Sequence, residues 1–202
     1  QTRPLRASPP ARPSCHAQFQ YMQEMAIANR EASDFITMDD QAKVPFGDPN
    51  TMVSTGERGK VSLVPKETTL AALDHDMTRA SITPSVIFKI EVPDSIDKSF
   101  YRGKVTVFVN DAVFQSSSPF RHGAALCKVL LNPKPILFKF TDGGVDQRNT
   151  LESVKIAAVC VFKELNLDML IMCRCAPGQS YTNPCERCMS VLNLSLQNVA
   201  LA

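Results

Sequence analysis

Neither sign of charge dominates this 202-residue chain, in which 22 lysines and arginines stand against 20 acids for a formal charge of +2. Bulk electrostatics therefore neither demand nor exclude a polyanionic partner, and any nucleic-acid contact has to come from local sites. No stretch approaches the roughly 18 uninterrupted apolar residues of a membrane helix. The first residues carry no hydrophobic signal core, so no membrane partner and no secretory leader is expected. The three histidines, His16, His75 and His122, fall in different predicted elements with no nucleophile beside them, which leaves a serine or cysteine hydrolase without support. Gly56-Glu-Arg-Gly-Lys60 is too closely spaced for a phosphate-binding loop, and Val61 stands where that loop needs a hydroxyl.

What is present supports one substantial core. Hydrophobic residues make up 44% of the chain and charged residues 21%. The seven cysteines are odd in number, and Cys160 lies in an apolar helical run, a usage that reads as reduced thiols in an intracellular protein. Cys173-Arg-Cys175 and Cys185-Glu-Arg-Cys188 leave a zinc site open as an alternative. Residues 1–15 begin at Gln1 and are rich in proline, arginine and alanine, so we expect a disordered linker or the cut edge of a longer polypeptide, followed by a domain over 16–202.

The periodicity predicts a helix over 16–31, then a short strand at 34–39 that ends in Asp39-Asp40. Residues 41–80 read as an insertion, with a hairpin around 56–59 and an amphipathic piece at 70–77. Alternation then marks strands at 85–92 and 104–109, neighbours and antiparallel. A helix over 119–131 follows, its cap and first-turn proline supplied by Ser116-Ser-Ser-Pro119. A strand at 135–141, a helix at 150–165, an apolar run at 167–172 and a helix from 184 to about 199 complete the chain. Three strands, helix, strand, helix, strand, helix is the order of a mixed α/β sheet, and it matches the ribonuclease-H-like fold.

In that order Asp39 ends the first strand, Asp142 ends the fourth and Glu186 opens the last helix, so residues distant in sequence converge. Oxygen ligands suit hard divalent cations, and a pair of such ions roughly 3.5–4 Å apart suits phosphoryl transfer. Glu186 has a second reading: with Asn183 as cap and Pro184 in the first helical position, it stands where a capping-box carboxylate belongs. Glu186, Ser190, Asn193 and Gln197 form a polar stripe that would border either a nucleic-acid channel or solvent.

Met38-Asp-Asp-Gln-Ala-Lys-Val-Pro-Phe-Gly47, Phe138-Lys-Phe-Thr-Asp-Gly-Gly144 and Ala176-Pro-Gly-Gln-Ser-Tyr-Thr-Asn-Pro-Cys-Glu-Arg187 resemble segments of DDE-superfamily transposase and integrase catalytic domains from animal mobile elements. The resemblance runs from about residue 33 to the C-terminus. It implies DNA strand cleavage and transfer with two magnesium or manganese ions, held by Asp39, Asp142 and Glu186, with Asp40 as the alternative to Asp39. It further implies DNA as partner (transposon ends and target), nuclear location and a possible homo-oligomer. Lys43, Arg148, Arg187 and Asn193 are expected on the DNA path, with Arg58, Lys60 and Arg121 as further basic candidates. The chain shows no helix-turn-helix or zinc finger of its own, so a second reading stands beside the first: a catalytically inactive, domesticated or decayed DNA-binding or assembly module.

Overall fold

The computed structural model describes residues 12–41, 43–45, 66, 81–176 and 179–196. Helix α1, Arg12–Ala28, leads into strand β1, Ser33–Asp40, and the two-residue strand β2, Val44–Pro45. Strands β3, Ser81–Ile90, and β4, Gly103–Asp111, come next, then helix α2, Pro119–Val129, strand β5, Ile136–Thr141, helix α3, Glu152–Glu164, strand β6, Met169–Arg174, and helix α4, Cys185–Leu196. Among the described residues no helix is long and apolar enough to cross a membrane.

Hydrogen bonding orders the long strands β4-β3-β1-β5-β6, with β3 antiparallel to both its neighbours and β1, β5 and β6 mutually parallel. This is the ribonuclease-H-like sheet that the element order leads one to expect. The parallel strands are joined by the helical crossovers that such pairing requires. Helix α1 starts four residues before the expected position, β3 starts at Ser81 rather than 85, and β6 is shifted to 169–174. The short β2 was not expected, because Pro45 and Gly47 argue against regular continuation. It forms because Gln41 donates its N–H to Pro84 C=O at 2.8 Å, which carries the chain on along β3 past the end of β1. The hairpin expected around 56–59, the piece at 70–77, Arg58, Lys60, His75 and Gln197 lie outside the described residues.

Successive side chains of a strand point to opposite faces, and β1 uses this fully. Phe35 joins Phe88, Phe138, Phe140 and the α1 residues Met22 and Ala26 on one face. Ile36 and Met38 join Ile87, Leu137 and the helical residues Leu126 and Val161 on the other. The sheet is thus a central layer, with α1 and α4 on one side and the packed pair α2 and α3 on the other. Phe35 and Phe138 stack with centroids 5.9 Å apart, and Phe19 of α1 stacks on Phe140 at 4.0 Å. Strand β4 lies at the edge of the sheet, and among the described residues no helix covers its outer face, so Val105, Val107 and Val109 are exposed although they alternate as expected.

Truncating a fully buried aromatic in such a core costs roughly 3–5 kcal/mol, whereas an exposed side chain changes stability by less than about 0.5 kcal/mol. Phe138→Ala is accordingly expected to lower the urea-unfolding free energy by about 3–5 kcal/mol and Val109→Ala to leave it nearly unchanged.

Candidate metal centre

Parallel pairing sets the first two acids side by side. In the β1–β5 register Met38 lies opposite Thr141, so the next step along the same register places Asp39 beside Asp142. By alternation Asp39 shares the face of Phe35, and Asp142 shares that of Phe138 and Phe140; this is the layer that holds α4. Across the antiparallel pair Asp39 lies opposite Val86, against which Cys185 and Met189 of α4 pack.

The start of α4 is fastened to this point. Asn183 is buried, donates from Nδ2 to Met38 C=O at 3.5 Å and accepts at Oδ1 from Cys185 N–H at 3.3 Å. Cys185 Sγ donates to Val86 C=O at 3.5 Å. Asn183 therefore caps the helix with its own side chain, as its position suggests. Glu186 takes no part in a capping box: among the described residues its carboxylate makes no hydrogen bond, and it is directed close enough to Asp39 to act on its charge. Farther along the helix, Gln41 Nε2 donates to Asn193 Oδ1 at 2.6 Å.

Electrostatics register the crowding. Burial, followed by the negative charges of Asp142 and Glu186, raises the Asp39 carboxyl from 3.8 to about 8, although the Asp40 N–H donates to Asp39 Oδ1 at 2.8 Å and works the other way. Asp142 Oδ1 accepts from Gly144 N–H at 2.8 Å. Among the described residues none of these three acids is in an ion pair. Their donor atoms are all oxygen, the kind that a hard divalent cation such as Mg2+ or Mn2+ prefers, but the three are not among the groups whose ligating atoms lie within 4.8 Å of one another. Burial, with the acids' charges adding to it, raises the Cys175 thiol to about 12 and moves Cys185 strongly in the same direction, so both remain protonated beside the carboxylates.

The neighbouring acid, Asp40, points to the opposite face of the sheet and meets different partners. Its Oδ2 is ion-paired with Arg121 and lies 2.7 Å from Ser117 Oγ. Ser117 Oγ also lies 2.6 Å from Asp146 Oδ2, and His122 Nε2 lies 2.5 Å from the same oxygen. The ligating atoms of Asp40, His122 and Asp146 all fall within 4.8 Å of one another, close enough to share a cation. Arg121, however, already meets the charge of Asp40, and hydrogen bonds from His122 and Ser117 hold the Asp146 carboxyl well below the usual range against its partial burial. Beneath this cluster the buried ammonium of Lys139 is lowered from 10.5 to about 8 by desolvation, with Asp146 opposing the shift.

Sequence reasoning missed this second cluster. His122 is indeed a helix-start residue, but it is fully buried in an ionic network, and Arg121 is turned into the protein rather than toward a DNA path. Of the expected DNA contacts, Lys43 is half-buried just before β2 and Arg148 is exposed in the β5–α3 connection. Arg187 lies with its guanidinium carbon 3.8 Å from the centre of the Tyr101 ring, and Asn193 is engaged with Gln41. The four cysteines considered for zinc do not converge: Cys173, Cys175 and Cys188 sit in or against the core under α1, while Cys185 packs on Val86. Among the described residues they form no metal-ligating group.

No protein-family model matches the chain, and no curated protein matches it. Solved structures do resemble it. The Mos1 transposase paired-end complex with left transposon end aligns with a TM-score of 0.49 and 10% identity over 98% of this chain and 52% of that one. A pre-cleavage Mos1 transpososome gives 0.46 and 8% over 100% and 56%, and the Mos1 mariner paired end complex with Mn gives 0.41 and 11% over 97% and 54%. The chain spans about half the length of the transposase chains it matches. At these scores the fold assignment rests on the strand order and register described above.

Folded Asp39 keeps its proton up to about pH 8, whereas the unfolded side chain releases it near 3.8. The protonated folded state is thus favoured at low pH, and this contribution is lost as pH rises through the folded value. Asp39→Asn is expected to unfold at higher urea than the parent at pH 8 in metal-free buffer, with the difference shrinking steadily toward pH 4.

Proposed function

We propose that this chain is the catalytic domain of a DNA transposase that cleaves and transfers DNA strands by metal-dependent phosphoryl transfer. The observation that carries the reading is the placement of Asp39 beside Asp142 at one end of a ribonuclease-H-like sheet, with Glu186 near enough to raise the Asp39 carboxyl and none of the three ion-paired among the described residues. Hard divalent ions bound there, two of Mg2+ or Mn2+, would supply charge neutralisation at the attacking and leaving oxygens of a phosphodiester.

The protein's own groups do the remainder. The Asp40 and Gly144 N–H groups each hold one oxygen of Asp39 and Asp142 in place, which fixes the direction of the free oxygen. Glu186, on a helix start fastened to Met38 and Val86, closes the site from the side of α4. Lys43 and Arg148 would contact DNA phosphates, and Arg187 and Asn193 would border the same path along α4. The Mos1 structures were determined as transposon-end complexes, one of them with Mn. For this chain, DNA ends as substrate, assembly into a homo-oligomer and action in the nucleus belong to the same proposal.

Purified protein incubated with nicked or hairpin DNA and Mn2+ is expected to cleave it, and Asp142→Asn and Asp39→Asn are expected to abolish cleavage while leaving the far-ultraviolet circular dichroism unchanged. Cleavage that survives Asp142→Asn would overturn the reading. A well-folded chain that binds DNA but cleaves none would instead favour the inactive, assembly-module alternative.

A further inference from the structure

Helix α2 has its own cap: Ser118 Oγ accepts from Arg121 N–H at 3.2 Å, and Pro119 occupies the first turn. The polar cluster in that turn is therefore not needed to start the helix. It is also a costly cluster, since the side chains of Arg121 and Asp40 are only 13% and 14% exposed and that of His122 is 1% exposed. Asp40 Oδ1, Arg121 Nε and His122 Nδ1 are buried without a hydrogen-bond partner among the described residues. Apolar residues of similar volume at such positions commonly match or exceed the stability of buried ion pairs. The cluster has to be understood by what it holds in place.

It holds the two segments that carry Asp39 and Asp142. Arg121 and Ser117 grip Asp40, and the Asp40 backbone N–H is the group that holds Asp39 Oδ1. Ser117 and His122 grip Asp146, which closes the turn after β5. Inside that turn Gly144 donates to Asp142 Oδ1, and a Cβ at Gly144 would lie 3.1 Å from Asp146 Oδ1 and 3.4 Å from Asp142 Oδ1. One helix start, on the far face of the sheet, thus reaches both acids through one residue each. We propose that Ser117, Arg121 and His122 are positioning residues that set the separation and orientation of the Asp39 and Asp142 carboxylates for divalent-ion binding. The inference rests on the metal-centre reading above. None of the three touches the acids themselves; they act through Asp40, Asp146 and the two backbone amides.

Outer partners of metal ligands typically change metal affinity by about 10–100-fold when removed. Calorimetric titration of the full chain with MnCl2 is expected to show binding that Asp142→Asn destroys. His122→Asn and Arg121→Ala are expected to weaken that binding roughly 10–100-fold in protein that still melts cooperatively. Arg121→Lys, which keeps the charge, should lose less, and Ser117→Ala supplies a mild variant if the others do not fold. In the cleavage assay these variants should fall well below the parent at limiting Mn2+ and recover toward it at saturating Mn2+, a split that mere destabilisation does not produce. Folded variants that bind Mn2+ as the parent does, with only the melting temperature lowered, overturn the positioning role and leave the metal centre standing. A parent that takes up no Mn2+ removes the metal centre itself, and the positioning role with it.

Discussion

The parallel pairing of β1 with β5 is the constraint from which the rest follows. It ends two strands at the same level, and both chains continue in acids, so Asp39, Asp40, Asp142 and Asp146 are gathered at one end of the sheet. Like charges so close must be separated or neutralised. The pleat does the separating: Asp39 and Asp142 go to the side of α4, and Asp40, with Asp146 beneath it, goes to the side of α2. Neutralisation then differs on the two faces. Arg121 meets the charge of Asp40, and His122 and Ser117 lie within hydrogen-bond distance of Asp146, while Glu186 adds a third negative group to the first pair.

The division is enforced by packing well away from the charges. Phe35 and Phe138 fill one face of the same two strands, and Met38 and Leu137 fill the other. A slip of one residue in β1 would turn Phe35 toward α2 and α3 and Met38 toward α1 and would exchange Asp39 for Asp40, so the hydrophobic register also fixes which acid faces which helix. Fastening α4 by Asn183 and Cys185 to the C=O groups of Met38 and Val86 extends the same register to Glu186.

Much of this was legible in the residues, for identifiable reasons. The order of strands, the pairing of β3 with β4 and the capped start of α2 are local patterns, and alternation or a Ser-Pro signature marks each of them. Which of Asp39 and Asp40 faces α4 was harder to read, because the face of a strand end depends on where the strand begins. The cluster at the start of α2 could not be read at all. Its members come from the end of β1, the segment before α2, the first turn of α2 and the turn after β5, and only the folded sheet brings them together. Arg121 and His122 adjoin a serine cap, and in sequence nothing separates that arrangement from an exposed basic helix start. The outward row of valines on β4 failed to announce itself for a related reason, since alternation shows that a strand has two faces but not whether a helix covers either.

The thiols beside the acids carry a chemical consequence. Oxidants and soft metals attack the thiolate, and its abundance is governed by how readily the proton leaves. Cys175 and Cys185 lose theirs with difficulty, because burial, and after it the neighbouring acids Asp39 and Glu186, oppose a further negative charge. The group of acids that leaves room for a hard cation thus also keeps the adjacent sulfur in its unreactive form. Two cysteines sit at the edge of the centre without exposing it to air oxidation.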